Sequence, residues 1–433
     1  PRQDGHPLCA RFPSVEISGE EDVIRLLAER GPVERLIFLH GQSHARGQEN
    51  GEILYYLCRF LESHRAWKTE LTVVTAGAYS VLPGETANPY AQLLSAMVQA
   101  LPWECDRLTV SCVDAEDTME PDDLFRALRR KYSHVTVAVR EGTVYVPRLE
   151  RLHPQKKREL TFSPEGVYVI TGGLGGMGIT IAKALAQRQP EIHLALLTRR
   201  KPTTAEWEQV PEQAEIALCD VTDRATLEEC LDGLRKKHGR IAGVFHTAGV
   251  AGGGIYLRRN WEDFEKVFAP KVAGTQNLYE LLKENPPEFM LLFSSYASVL
   301  YPAGQSDYIA ANAFLDAFCT KAPWIQTVNW AGWKETGMGV RNGADQSKNA
   351  VDSLTNAEAM ELLWQAMEAK EPRLLLGSWS KAYFDKNAYI PYYILPTGVS
   401  ALEETNYDTP VQLTGKLSGE PTATELRVAQ AWA

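Results

Sequence analysis

The chain has no run of the roughly 18–20 apolar residues needed to cross a bilayer, and no charged leader followed by an apolar core. It also has no excess of basic charge: 45 Lys and Arg face 55 Asp and Glu, for a formal net charge of −10. That balance argues against nucleic acid as the main partner, because phosphate binding needs clustered Lys and Arg. The seven Cys are odd in number, scattered, and form no CxxC pair. They read as reduced, mostly buried thiols of a cytoplasmic protein. The nine His include no HExxH and no paired ligand spacing, so no metal is expected. Internal repeats are not evident. The chain starts at Pro1 without Met and stops at Trp432-Ala433 inside a helical pattern, which suggests a piece of a longer polypeptide.

What is present is ordinary globular material: 433 residues, 44% hydrophobic and 23% charged, a length that suggests two or three domains. Residues 1–155 alternate strand-like and helix-like stretches. Glu34–His40, Leu71–Gly77 and Leu108–Val113 are short apolar runs rich in β-branched residues, and Glu49–His64 and Pro89–Leu101 have helical spacing. Val135–Arg140 and Val144–Leu149 flank a Glu141-Gly142 turn and predict a hairpin. This first α/β layer has no glycine-rich phosphate loop. His153–Glu159 is polar and basic and reads as a linker to a second region, 156–380.

The second region predicts strands at Val167–Thr171, His193–Thr198, Ala214–Leu218, Ala242–His246, Phe289–Ser294, Ile325–Trp330 and Arg373–Gly377, with helices between them. Such alternation implies an α/β fold with a doubly wound parallel sheet. The polar, Gly-containing stretch 335–353 has the length of a lid.

The first strand of this region runs into Thr171-Gly172-Gly173-Leu174-Gly175-Gly176-Met177-Gly178 and then a helix, Ile179–Gln187. Glycines let the backbone turn tightly and approach a pyrophosphate, and the helix N-terminus supplies N–H donors. The second strand ends in Thr198-Arg199-Arg200. No carboxylate is there to take ribose hydroxyls, and two Arg favour a 2′-phosphate, so the cofactor reads as NADPH with Arg199 the better candidate. Asp220 and Val221 after the third strand would meet the adenine edge, although an acid there also suits a helix N-terminus. Thr247, Ala248 and Gly249 end the fourth strand and would bring small residues close to the cofactor.

Ser295 falls at a strand end, Tyr308 lies 13 residues later on a helix, and Asn312 is one turn on along the same face. Reducing a ketone requires a hydride and a proton for the developing alkoxide. A phenol can give that proton if a nearby cation lowers its pKa, and a Ser hydroxyl can polarise the carbonyl. Lys271, on the helix after the fourth strand, is the candidate cation, and Asn312 could hold a relay water.

Together these motifs resemble the ketoreductase domains of polyketide synthases, a branch of the short-chain dehydrogenase/reductase (SDR) superfamily. Most of that superfamily carries Lys four residues after Tyr, whereas this chain has Asn312 there and Lys271 upstream, the exchange typical of synthase ketoreductases. The resemblance covers about residues 30–380. It implies a Rossmann fold preceded by a truncated, cofactor-free Rossmann-like subdomain, and a catalytic set of Tyr308, Ser295, Lys271 and Asn312. Val328-Asn329-Trp330, Trp333 and Gly337-Met338 resemble the family's entry to its lid. The Leu-Asp-Asp signature of one stereochemical class is absent near Ala251-Gly252-Gly253, and the Trp of the other class is absent at Leu300, so product handedness stays open.

The tail is a small appendage. Tyr389–Pro396 and Pro410–Leu417 look like the end of an adenylation-domain small subdomain of nonribosomal peptide synthetases (381–422), and Thr424–Trp432 looks like the first helix of a carrier protein (423–433). A ketoreductase followed by such a remnant resembles depsipeptide synthetases. The expected reaction is then reduction of a 2-ketoacyl thioester on a phosphopantetheine carrier to the 2-hydroxyacyl thioester, among neighbouring synthase domains. β-Ketoacyl reduction in a polyketide module is the alternative. An inactive scaffold and a stand-alone dehydrogenase fit the intact motifs and the extra layers less well.

Overall fold

The computed structural model describes residues 17–41, 47–64, 66–116, 119–129, 135–152, 160–341, 343, 349–380 and 383. The linker at 153–159 and the two tail segments expected at 381–422 and 423–433 lie outside these, apart from Tyr383. No helix of the described residues is long and apolar enough to cross a membrane.

The first layer runs α1 (Glu20–Arg30), β1 (Arg35–Gly41), α2 (Gly47–Ser63), β2 (Thr69–Ala76), α3 (Pro89–Met97), β3 (Leu108–Ala115), α4 (Pro121–Arg129), β4 (Thr136–Arg140) and β5 (Thr143–Tyr145). Its sheet has the order β1-β2-β3-β4-β5, parallel up to β4. β5 returns antiparallel through Glu141 and Gly142, both with positive φ, the geometry that matches strand twist in a two-residue hairpin. At the strand ends sits a buried ion pair. Arg140 Nη2 lies 2.8 Å from Asp114 Oδ2 and its Nε 2.9 Å from Glu85, while Asp114 also accepts from Thr75 and Ala78.

The second layer comprises β6 (Val167–Thr171), α5 (Gly176–Arg188), β7 (His193–Thr198), α6 (Thr204–Trp207), β8 (Ala214–Leu218), α7 (Arg224–His238), β9 (Ile241–His246), α8 (Trp261–Lys271), α9 (Ala273–Leu282), β10 (Phe289–Ser295), α10 (Ala297–Leu300), α11 (Ser306–Phe318), β11 (Ile325–Trp330), α12 (Met338–Arg341), β12 (Val351–Asp352), α13 (Asn356–Ala369), β13 (Arg373–Leu376) and β14 (Ser378–Trp379). Seven parallel strands take the order β13-β11-β10-β9-β6-β7-β8. β6 and β9 are buried along their whole length, as central strands covered by helices on both faces must be. The chain order reverses between β6 and β9, the switch point where open α/β sheets bind ligands. The stretch expected as a lid contains α12 and β12, the latter paired antiparallel with β14.

One hydrophobic core runs through both layers. The α2 ring of Tyr55 meets Trp261 and Phe264 of α8 at centroid distances of 5.7 and 5.1 Å, and its hydroxyl donates to the Arg259 carbonyl at 2.7 Å. Tyr90 of α3 packs edge-on against Phe314 of α11. α11 is therefore enclosed between the first layer and the seven-stranded sheet. Of its thirteen residues every one is buried except Tyr308.

Candidate active site

A cleft of about 950 Å³ opens over the C-terminal ends of β6 and β9. Of the residues expected to hold a cofactor, Gly172, Leu174, Gly175, Gly176, Met177, Gly178, Thr198, Arg199, Arg200, Asp220, Val221, Thr247, Ala248 and Gly249 line it. Thr171 and Gly173 do not line it. Thr171 lies beneath the loop: its hydroxyl meets His246 Nδ1 at 2.7 Å and accepts from Ala248 N–H, and its carbonyl accepts from Thr247 Oγ1. Gly173 is pressed against Leu196, where a Cβ would fall 2.6 Å from the Leu196 Cβ.

The loop needs glycine for two physical reasons. Gly172 adopts φ +63, the left-handed region, and a Cβ at Gly178 would come within 2.8 Å of the Gly172 carbonyl. No side chain caps Gly175 at the start of α5. The first N–H groups of that helix therefore stay available to an anion at the cleft end.

The two arginines after β7 differ. Arg200 is bound to Glu206 through both its terminal nitrogens, an ion pair that holds Glu206 down to about 2. Arg199 is exposed on the cleft rim and makes no ion pair among the described residues. Asp220 Oδ1 accepts from the Thr222 amide and hydroxyl, while Asp223, not Asp220, caps α7.

At the other end of the cleft Lys271, Ser295 and Tyr308 converge on one wall. β10 ends at Ser295, whose hydroxyl accepts from Ala297 N–H at 3.2 Å. Lys271 closes α8; it is 3% exposed, its ammonium donates to the Phe293 carbonyl at 2.7 Å, and its Nζ lies 6.0 Å from the centre of the Tyr308 ring. Burial pushes the Lys271 ammonium down to about 8, with Asp316 opposing. Asn312 does not line the cleft: its Nδ2 donates to the Tyr308 carbonyl at 2.7 Å, and its buried Oδ1 has no hydrogen-bond partner among the described residues.

The expected depression of the phenol by Lys271 is not what this arrangement produces. Burial raises Tyr308 above its ordinary value, and Ser295 and Asn312 pull it partly back. The ammonium lies 6.0 Å from the ring centre and donates to the Phe293 carbonyl, and burial of the phenol favours its neutral form. Tyr308 and Ser295, two hydroxyl-bearing residues, both line the cleft here.

Beneath this wall lies a polar network centred on Asn329, whose bracing contacts its place in the resemblance did not indicate. Asn329 Oδ1 accepts from Arg373 Nε at 3.0 Å, and its Nδ2 lies within 3.1 Å of Ser294 Oγ, the Ser295 carbonyl, Ser298 Oγ and Asp316. Arg373 also pairs with Asp316 at 2.8 Å. These groups fix the end of β10 that carries Ser295. Their signal in the sequence is a polar residue, Asn329, between Val328 and Trp330 at the buried end of β11. His246 is a second missed residue. Its Nε2 lies 3.0 Å from the Pro270 carbonyl, an acceptor, which assigns the proton to Nε2. Burial, then the neighbouring Lys271, push the imidazole down to about 3, so it is a neutral strut between β6 and the Lys271 turn.

Residues 166–334 match the family model described as KR domain. The chain is 29% identical over 363 residues to polyketide synthase PksL of Bacillus subtilis (strain 168), covering 74% of this chain and 8% of that protein. It is 30% identical over 374 residues to polyketide synthase GfsB of Streptomyces halstedii, covering 81% of this chain and 7% of that protein. It thus spans less than a tenth of the length of these relatives. Among solved structures, an A1-type ketoreductase superposes with a TM-score of 0.75 at 23% identity, over 87% of this chain and 84% of that one. A multidomain structure with adenylation, ketoreductase and pseudo Asub parts, from a keto acid-selecting NRPS module, gives 0.76 at 19% identity, over 87% of this chain and 35% of that one. At these identities the structures speak to fold alone.

Fold and family match define an oxidoreductase of the short-chain dehydrogenase/reductase superfamily, acting on a carbonyl group. Within that class residues 166–334 match the KR domain family, whose members use a nicotinamide cofactor, and the chain is similar to polyketide synthases over about three quarters of its length.

Proposed function

We propose that this chain reduces the ketone of an acyl thioester carried on a phosphopantetheine arm, with NADPH as cofactor. The observation that carries the reading is the convergence of Tyr308, Ser295 and Lys271 on one wall of a cleft whose opposite end is a glycine turn at a helix N-terminus. NADPH, when bound, supplies the hydride. The glycine loop and the start of α5 would hold its pyrophosphate, and the unpaired Arg199 would hold its 2′-phosphate. Tyr308 passes its phenolic proton to the developing alkoxide, Ser295 hydrogen-bonds that oxygen, and Lys271 supplies positive charge beside the ring as the phenolate forms. Asn312 keeps an unpaired acceptor behind Tyr308, fit for a water that returns the proton.

For the substrate we favour a 2-ketoacyl thioester reduced to the 2-hydroxyacyl thioester within a depsipeptide synthetase. Support comes from the adenylation-like tail motifs at Tyr389–Pro396 and Pro410–Leu417 and from the fold likeness to a keto acid-selecting NRPS module. The second reading, β-ketoacyl reduction in a polyketide module, is favoured by the named relatives, which are polyketide synthases. The purified chain should be offered both 2-keto and 3-keto acyl thioesters while NADPH absorbance is followed. Turnover of the 2-keto substrate is expected, and Tyr308→Phe should lower it by about 10²-fold or more, the scale of a positioned general acid. Consumption of NADPH with the 3-keto thioester alone would replace the first reading by the second.

A further inference from the structure

Two loops form the lips of the cleft beside Tyr308. One is residues 250–255, leading into Tyr256; the other is residues 301–305, leading into α11. The first contains Gly252, Gly253 and Gly254, the last two at φ +110 and +122, a region that side-chain-bearing residues rarely adopt. Its three glycines have no side chains with which to hold that shape, so their position is imposed by neighbours.

Two carboxylates impose it. Asp307, 2% exposed and adjacent to Tyr308, accepts from Gly253 N–H at 3.0 Å, from Tyr308 N–H at 2.7 Å and from Arg259 Nη2 at 2.6 Å. A Cβ on Gly252 would lie 2.7 Å from Asp307 Oδ1, so the loop rests directly on this carboxylate. The other carboxylate belongs to the first layer. Glu104 Oε2 accepts from Tyr256 N–H and its Oε1 from Gly304 N–H, both at 2.7 Å. One side chain thus takes an amide from each lip, and the lips are joined between these points by Gly254 N–H donating to the Gly304 carbonyl at 2.7 Å.

We propose that Glu104 is a positioning residue of the substrate mouth: by bridging the 250–256 and 301–305 lips it lets the first layer set how the ketone is presented beside Tyr308. The inference rests on the ketoreductase reading for its catalytic consequence, but the bridge itself does not. Arg259 extends the link, since its carbonyl accepts from Tyr55 of the first layer while its guanidinium holds Asp307. The C-terminal side of the glycine segment is therefore tied to Glu104 and Tyr55, residues of the first layer.

The test uses the full chain with Glu104→Ala and Glu104→Gln. In Glu104→Ala, KM for the reduced thioester should rise about ten-fold and the ratio of the two alcohol enantiomers should fall about ten-fold, with kcat and NADPH affinity within about three-fold of the parent, as expected when substrate placement alone is loosened. Glu104→Gln keeps one acceptor and should fall between parent and Ala. A residue with only a stabilising role would lower the melting temperature without moving the enantiomer ratio, and that result overturns the proposal. Amide hydrogen exchange supplies a readout independent of turnover: segments 250–256 and 301–305 should both exchange about ten-fold faster in Glu104→Ala. If neither segment changes, there is no bridge, whatever the substrate. If both change while the parent reduces neither thioester, the bridge stands and the proposed function fails.

Discussion

Lys271 places a full charge where water is excluded, and its ammonium donates to the Phe293 carbonyl. Its folded pKa of about 8 lies below the ordinary 10.5. Folding therefore carries a cost at this residue that is complete below about pH 8. The cost shrinks as the pH rises toward 10.5, because in that window the unfolded chain holds the proton that the folded chain has shed. Lys271→Met should consequently stabilise the protein at pH 7 by about 1–3 kcal/mol after allowing for the orphaned carbonyl, while turnover falls by about 10²-fold or more. Denaturant melts of both proteins at pH 7 and pH 10 would check it: the gap should narrow at the higher pH, and a less stable variant at pH 7 would refute the argument. Tyr308, Ser295, Lys271 and Asn312 were legible as candidates because their spacing along the chain is local and characteristic. The neutral, burial-raised state of Tyr308 was not, because it depends on the helices packed around it.

Elements decide which of two adjacent, chemically identical residues is free. α6 begins with a capping box at Thr203, and that box places Glu206 against Arg200. Arg200 is thereby neutralised and Arg199 is left for an anion. Arg199→Ala should weaken NADPH by about 2–3 kcal/mol, the worth of a charge-assisted phosphate contact, and NADH hardly at all. Arg200→Ala should have a much smaller effect. Fluorescence titrations with both cofactors would show it, and equal losses for NADPH and NADH would remove the phosphate assignment. The strands that frame this site were readable to within a residue or two, since central parallel strands must be continuous apolar runs. β12, β14 and α1 were not anticipated: the first two are two residues each, too short for any periodicity, and α1 is amphipathic but lies at the margin of the chain's first apolar pattern.

At the scale of the molecule, the first layer is part of the same hydrophobic core as the catalytic layer. Tyr55 is fully buried among Tyr256, Trp261 and Phe264, residues that immediately precede and form the helix ending in Lys271. Tyr55→Ala should cost about 3–5 kcal/mol, the range for deleting a buried aromatic side chain. The loss should appear as one cooperative transition shifted as a whole when ring fluorescence and far-UV dichroism are followed together. Two separated transitions, with the catalytic layer unmoved, would mean the layers are energetically independent.

By itself the sequence determined the parallel α/β architecture and the glycine turn and singled out Tyr308 as the candidate proton donor, because each rests on residues close together in the chain: alternation of apolar runs, a strand–loop–helix junction, a fixed Ser-to-Tyr spacing. Tertiary structure alone decided which arginine pairs with Glu206, how Asn329, Asp316 and Arg373 brace Ser295, and that Glu104 grips two lips lying 152 and 200 residues further on. Those contacts join segments remote in sequence, and no local pattern encodes a partner that only chain folding brings within hydrogen-bond reach.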